Sequence, residues 1–163
     1  MKLLLHACCG PCSLEPTRLL KAAGHDITIY YANSNIPPAE EYEHRLATLR
    51  AWAADAGFEV LEGPYDPATW EACAGRIGDD AIAEVEQARA KTGAEDERAG
   101  KGTAPRAAVL SVDPARREAR CRACYRLRLE ETARVAAERG FEGIGTTLSV
   151  SPYQYTQVIR EEV

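Results

Sequence analysis

Five of the six cysteines fall into two groups with the spacing of metal ligands. The first group, Cys8, Cys9 and Cys12, combines an adjacent pair with a CxxC, and the second is the CxxC of Cys121 and Cys124. Thiolates at such spacing bind zinc or iron–sulfur clusters, or form a redox dithiol. Because zinc does not account for an adjacent pair together with a fifth thiol, the sequence favours an iron–sulfur site.

Two further residues of metal-ligating type are predicted to serve in packing. Cys73 shares an apolar helical face with Trp70 and Ile77, and unpaired cysteine is commonly buried. His6 lies inside the first predicted strand, which favours packing over ligation.

Arginine is concentrated around the second cysteine pair. The six residues fall within a stretch of thirteen: Arg116, Arg117, Arg120, Arg122, Arg126 and Arg128. They form either a solvated helix face paired with neighbouring glutamates or a phosphate-binding patch for RNA. The predicted substrate contacts are two of these arginines and five loop or helix residues: Arg122, Arg126, Asn33, Asn35, Tyr42, Arg45 and Tyr153. The sequence singles out no catalytic proton donor.

Length and composition define the class of protein. With 163 residues, 45% of them hydrophobic, the chain is predicted to be a single domain, residues 1–163. The net charge of −5 excludes a uniformly basic nucleic-acid surface but allows a local basic patch. No apolar run approaches twenty residues and no signal-peptide core is present, so we expect a cytoplasmic protein with reduced thiols.

Strands and helices alternate along the chain. Strands are predicted at 2–6, 26–32, 58–61 and 143–150, and helices at 13–23, 38–56 and 158–163, with a short helix after Asp66. Order restarts at Asp113-Pro114, and a long helix is predicted to carry Cys121 and Cys124 at or near its start and to continue to Glu138. This order of strands and helices predicts a doubly wound, three-layer parallel α/β sheet. The first cysteine group after strand 1 and the polar loops after strands 2 and 4 are expected to lie at the same edge of that sheet. Residues 79–112 are predicted to be an inserted, partly mobile segment.

Four segments, LLLHACCGPCS, ANSNIPPAEEYEHR, RCRACYRLRLEETA and GTTLSVSPYQ, together resemble the cobalamin-independent epoxyqueuosine reductases over most of the chain outside 79–112. The resemblance implies an adenine-nucleotide-hydrolase-like (Rossmann-like) fold, a [4Fe–4S] cluster and an adjacent mononuclear iron. By motif, the implied cluster ligands are Cys8, Cys9, Cys121 and Cys124, and Cys12 is implied to hold the second metal. The family pattern continues to a further Cys-Gly-Cys that this sequence does not contain.

The resemblance also implies a reaction in queuosine biosynthesis. An iron–sulfur oxidoreductase removes the epoxide oxygen of epoxyqueuosine in tRNA to give queuosine. The implied partners are the tRNA anticodon stem–loop and an external low-potential electron donor, without a membrane. The residues themselves are also compatible with two alternative functions. One is a non-catalytic zinc- or iron–sulfur-binding module that acts in electron relay or protein interaction, and the other is a thiol–disulfide enzyme that uses Cys121 and Cys124.

Overall fold

A computed structural model describes residues 1–77 and 113–163. Its four strands form one all-parallel sheet in the order β3-β2-β1-β4: β1 Lys2–His6, β2 Asp26–Tyr31, β3 Glu59–Glu62 and β4 Gly143–Thr146. The described residues also form five α-helices: α1 Gly10–Ala22, α2 Ala39–Ala56, α3 Pro67–Trp70, α4 Pro114–Glu138 and α5 Thr156–Glu162. The predicted α/β class and parallel sheet are confirmed, and the predicted insertion at 79–112 lies outside the described residues.

The central strand β1 is apolar along its length because it is covered on both faces. Leu4 is fully buried and lies in register with Thr28 of β2 on one side and Ile144 of β4 on the other. A strand enclosed in this way has no solvated face, so its residues do not alternate between polar and apolar types.

Helices pack against both faces of the sheet. On one face, Ile29 and Tyr31 of β2 contact an apolar stripe of α2: Tyr42, Leu46, Leu49 and Ala53. The helical spacing of apolar residues predicts this stripe together with Ala56, which is half-buried. On the other face, Leu4 and Tyr30 contact residues near the end of α4: Val135 and Ala136. Successive β2 side chains therefore enter different core clusters, as the period of a strand requires. No helix among the described residues is long and apolar enough to cross a membrane.

Helix ends follow the local chemistry of their residues. Asp66 caps α3 by accepting a 3.0 Å hydrogen bond from the Thr69 backbone N–H, as predicted. Asp113 caps α4 in the same way through the Arg116 N–H at 3.1 Å. Gly57 ends α2 with a φ of 75°, a left-handed conformation that favours glycine.

Two predicted boundaries are wrong. Helix α1 begins at Gly10 instead of Ser13, because Pro11 lies in the first turn, where its missing N–H is not needed. Strand β4 ends at Thr146, and the apolar residues after it form a 3₁₀ turn, Leu148–Val150, instead of extending the strand. The first correction places Cys12 inside a helix.

Candidate metal centre

The first cysteine group gathers where β1 passes into α1. Cys9 is the N-cap of α1 and Cys12 follows it by three residues, and side chains at these two positions face each other across the first turn of a helix. The Sγ atoms of Cys8, Cys9 and Cys12 all lie within 4.8 Å of one another, and those of Cys8 and Cys9 are 3.9 Å apart. All three residues are half-buried. Three sulfur ligands thus converge at the carboxyl edge of the sheet.

Crowding makes this group unfavourable as three ionised thiolates without a bound cation. Burial raises the pKa of Cys12 to about 12, with further contributions from a hydrogen bond to Cys9 and from the charges of Cys8 and Cys9. Thiolates so close together repel one another, and a bound cation removes that repulsion by coordinating them. Sulfur donors in this number suit zinc or iron–sulfur clusters, so the residues fit the implied group.

The second cysteine pair lies on α4, one helical turn apart. Cys121 and Cys8 both pack against one hydrophobic cluster, whose buried members are Tyr125, Leu129, Leu148, Val158 and Ile159. Burial raises the pKa of Cys121. Within residues 1–77 and 113–163, the three sulfur atoms that all lie within 4.8 Å of one another belong to Cys8, Cys9 and Cys12, and this group includes neither Cys121 nor Cys124. Shared ligation by the two groups therefore stays a prediction.

Thr147 holds Cys8 by two hydrogen bonds. Its hydroxyl accepts from the Cys8 backbone N–H at 3.2 Å and donates to the Cys8 sulfur at 3.5 Å. Thr147 is 1% exposed and follows directly after β4, the strand beside β1. The neighbouring strand thus fixes the position of the Cys8 sulfur.

Arg128 and Asn33 connect α4 to the ends of β2 and β1. An Arg128 Nη2–H donates to Asn33 Oδ1, and Asn33 Nδ2–H donates to the carbonyl oxygen of Ala7 at 2.9 Å. Arg128 Nη1 also lies 4.0 Å from the Cys124 sulfur. The sequence interpretation did not single out Arg128 from the other arginines. The helical period could have distinguished it, because Arg128 lies on the buried face of α4 together with Tyr125 and Thr132.

His6 is a buried packing residue, as predicted. Its Nδ1 lies 3.1 Å from Thr146 Oγ1, and its Nε2 lies 3.3 Å from the Ala32 carbonyl oxygen. Complete burial, and secondarily the positive charge of Arg128, hold the pKa of His6 well below its usual range. The imidazole is therefore uncharged at neutral pH.

The prediction that Cys73 belongs to the core is wrong. Cys73 is exposed, whereas Trp70, three residues before it, is buried. Helix α3 passes into a π-helical turn at Glu71–Gly75. A π-helical turn rotates side chains relative to a 3.6-residue period, and this removes Cys73 from the face that Trp70 occupies.

The predicted substrate contacts after β2 occupy different environments. Asn33 is fully buried and Tyr42 is 4% exposed, with its ring stacked on Tyr65 at 4.1 Å between centroids. Asn35 is half-buried, and its buried Oδ1 accepts no hydrogen bond. Arg45 is exposed on α2, and its hydrogen-bonded pair with Glu41 at 2.6 Å raises its pKa.

The remaining predicted contacts lie on α4 and in the loop before α5. Arg122 and Arg126 both pair with Glu162 of α5, at 3.0 Å and 2.7 Å. Arg122 also pairs with Glu161 at 2.8 Å. The ring of Tyr153 is free of the core, with 82% of the residue exposed. These arginines are thus ion-paired in the structure, while Tyr153 faces solvent.

A cavity of about 330 Å³ opens beside Arg128, the residue that donates to Asn33. It lies between the residues that follow β2 and β3 and the middle of α4, and its lining includes Ser34, Asp66, Arg128 and Glu131. Arg128 thus lines the cavity and also lies 4.0 Å from the Cys124 sulfur.

The fold and the site together define an α/β protein with a parallel sheet and a thiol-rich centre at its carboxyl edge. The family model described as epoxyqueuosine reductase QueH matches residues 3–91 and 102–163, so the chain belongs to the QueH epoxyqueuosine reductase family.

Curated relatives that bear the name epoxyqueuosine reductase QueH are similar along nearly the whole chain. The protein of Staphylococcus aureus (strain Mu50) is 30% identical over 166 residues, which is 98% of this chain and 55% of that protein. The Streptococcus pyogenes serotype M1 protein is 30% identical over 165 residues, covering 98% and 51%. The Histophilus somni protein is 32% identical over 153 residues, covering 94% and 49%. The chain thus spans about half the length of these relatives.

Proposed function

We propose that this chain carries the metal centre of an epoxyqueuosine reductase. The reaction is the reductive removal of the epoxide oxygen of epoxyqueuosine in tRNA to give queuosine. The observation that carries the proposal is the convergence of three thiols within 4.8 Å at the carboxyl edge of a parallel sheet, in a member of this family. That edge is where open α/β sheets bind their ligands.

The proposed ligands of a [4Fe–4S] cluster are Cys8, Cys9, Cys121 and Cys124, with Cys12 beside them for a mononuclear iron. The packing of Cys8 and Cys121 against one hydrophobic cluster supports this set. When bound, the metals supply single electrons and a Lewis acid for the epoxide oxygen. The overall conversion takes two electrons and two protons, forms the alkene and releases water, so an external low-potential donor is required.

The chain's own residues hold the site in place and keep it dry. Thr147 fixes the Cys8 sulfur, and Asn33 joins the loop after β2 to β1. The hydrophobic cluster beneath Cys8 and Cys121 limits access of water to that side of the thiols. Preorganised ligands and excluded water favour a reactive, low-potential centre.

The proposed RNA contacts surround this edge. Tyr153 offers an exposed ring on which an unstacked base can rest, and Arg122, Arg126 and Arg45 offer cations for phosphate. Asn35 adds an unsatisfied amide oxygen. Asn33 and Tyr42 are buried, so their proposed part is to shape the floor beneath the substrate. The implied RNA is the tRNA anticodon stem–loop.

The fold is proposed to be the doubly wound, adenine-nucleotide-hydrolase-like form, with residues 1–163 as one domain. The strand order β3-β2-β1-β4 supports this, because it matches the first four strands of the doubly wound order 3-2-1-4-5-6, and helices cover both faces of the sheet.

Anaerobic purification followed by a turnover assay tests the function. We expect a brown chain with about four or more irons, which converts epoxyqueuosine in tRNA when a low-potential reductant is supplied. Cys8→Ser and Cys121→Ser are expected to lose iron and turnover, whereas the exposed Cys73→Ser serves as the matched control. A colourless chain with one zinc contradicts the proposal in favour of a structural module. Retained iron without turnover favours an electron-relay protein.

A further inference from the structure

Arg128 is a buried cation without a buried anion. It is 6% exposed, and its Nε makes no hydrogen bond. Its partners in the described part of the chain are the neutral amide oxygen of Asn33 and the Cys124 sulfur, and no carboxylate there pairs with it. Burying an unpaired charge is costly, so such a guanidinium calls for a negative group nearby.

The thiols provide that negative group when they bind metal. Cysteine coordinates as thiolate, and Arg128 Nη1 lies 4.0 Å from the sulfur of Cys124. A cluster held by four thiolates is anionic and gains further negative charge when it accepts an electron. Net charge and hydrogen bonds to the sulfurs set the reduction potential of such clusters.

The guanidinium cannot easily move away from the sulfur. Its Nη2–H bond to Asn33 is continued by the bond from Asn33 to the Ala7 carbonyl at 2.9 Å, and Ala7 directly precedes Cys8. Arg128 is thus fixed between the strand end that leads to the first cysteine group and the helix that carries the second. A fixed charge in a water-poor site acts more strongly than the same charge in solvent.

We propose that Arg128 is a positioning residue that supplies the buried positive charge of the metal centre and raises its reduction potential. This inference rests on the proposed iron–sulfur function. It adds a specific role for one arginine, since the other predicted cations, Arg122 and Arg126, are paired with carboxylates.

The test compares Arg128→Gln and Arg128→Lys with a matched control, Arg134→Gln. Arg134 lies on the same helix, but its side chain is 54% exposed and it pairs with Glu131 and Glu138. The readouts are iron per chain and the midpoint potential of the cluster, measured by reductive titration with electron paramagnetic resonance and without tRNA. For Arg128→Gln we expect the equilibrium constant of reduction to fall about tenfold, which is about 59 mV for one electron. Arg128→Lys and Arg134→Gln are expected to stay within twofold of the wild type.

Each outcome supports or contradicts either the role of Arg128 or the proposed reaction. A normal iron content with an unchanged potential in Arg128→Gln overturns the proposal. If Arg128→Gln binds no iron whereas Arg128→Lys does, the result supports a requirement for positive charge at this position. Equal loss of iron or of fold in both variants overturns it in favour of a purely structural role. If the wild-type chain holds iron but does not turn over, while Arg128→Gln shows the expected shift in potential, the result contradicts the proposed reaction and leaves the role of Arg128 intact.

Discussion

Replacing Asn33 with leucine removes the amide that links β2, β1 and α4. The side chain is fully buried, its Nδ2–H donates to the Ala7 carbonyl oxygen at 2.9 Å, and its Oδ1 accepts from Arg128. Leucine has the same branched arrangement of four side-chain heavy atoms, so the substitution mainly leaves two buried polar groups without partners.

The expected loss of stability follows from those two groups. An unsatisfied buried backbone acceptor costs about 1–3 kcal/mol, and a hydrogen bond to a charged group contributes about 1.5–3 kcal/mol. Together they lower the free energy of unfolding by about 2.5–6 kcal/mol, out of a total of about 5–15 kcal/mol for a domain. For a chain of this size, that is a fall of about 5–24 °C in melting temperature.

Denaturant unfolding of the metal-free chain measures this loss, with Asn35→Leu as the matched control. Asn35 lies two residues away, and its buried Oδ1 accepts no hydrogen bond, so we expect that variant to change stability by less than about 1 kcal/mol. If Asn33→Leu stays within about 1 kcal/mol of Asn35→Leu, the amide does not link the three elements.

Substitutions at three further positions probe the site. Thr147→Val is expected to lower the unfolding free energy by about 1–3 kcal/mol by leaving the Cys8 N–H unpaired, and to release iron faster on chelation. Thr147→Ser keeps the hydroxyl, so equal iron loss in both variants would contradict the role of the hydrogen bonds. Glu162→Gln frees Arg126 and should tighten binding to single-stranded RNA, with a salt dependence steeper by about 0.7; an unchanged slope argues against a phosphate contact. Cys73→Ser is expected to keep the wild-type iron content by metal analysis, and loss of iron would mean that this exposed thiol is a ligand.

Much of the fold was readable from local patterns. The positions of β1, β2 and β3 followed from short apolar or β-branched runs between turn residues, and the α2 stripe followed from its helical period. The errors arose where one signal had two meanings. The dipeptide Gly10-Pro11 is compatible with a tight turn and also with the first turn of a helix, and the apolar run after Thr146 is compatible with a longer strand and also with a 3₁₀ turn.

The sequence by itself determined which groups are available: two sets of cysteines at metal-ligand spacing, the alternation of strands and helices, and the similarity to one family. Those properties depend on residues close together in the chain. Only the tertiary structure decided that Arg128 meets Asn33, a residue 95 positions away, and that Arg126 is paired with Glu162, 36 positions away. Such contacts depend on how α4 packs against the sheet and against α5. The physical reason is that the spacing of residues along a helix or strand determines on which face of the element a side chain lies. Which residues that face contacts depends on the packing of elements that are distant in the sequence.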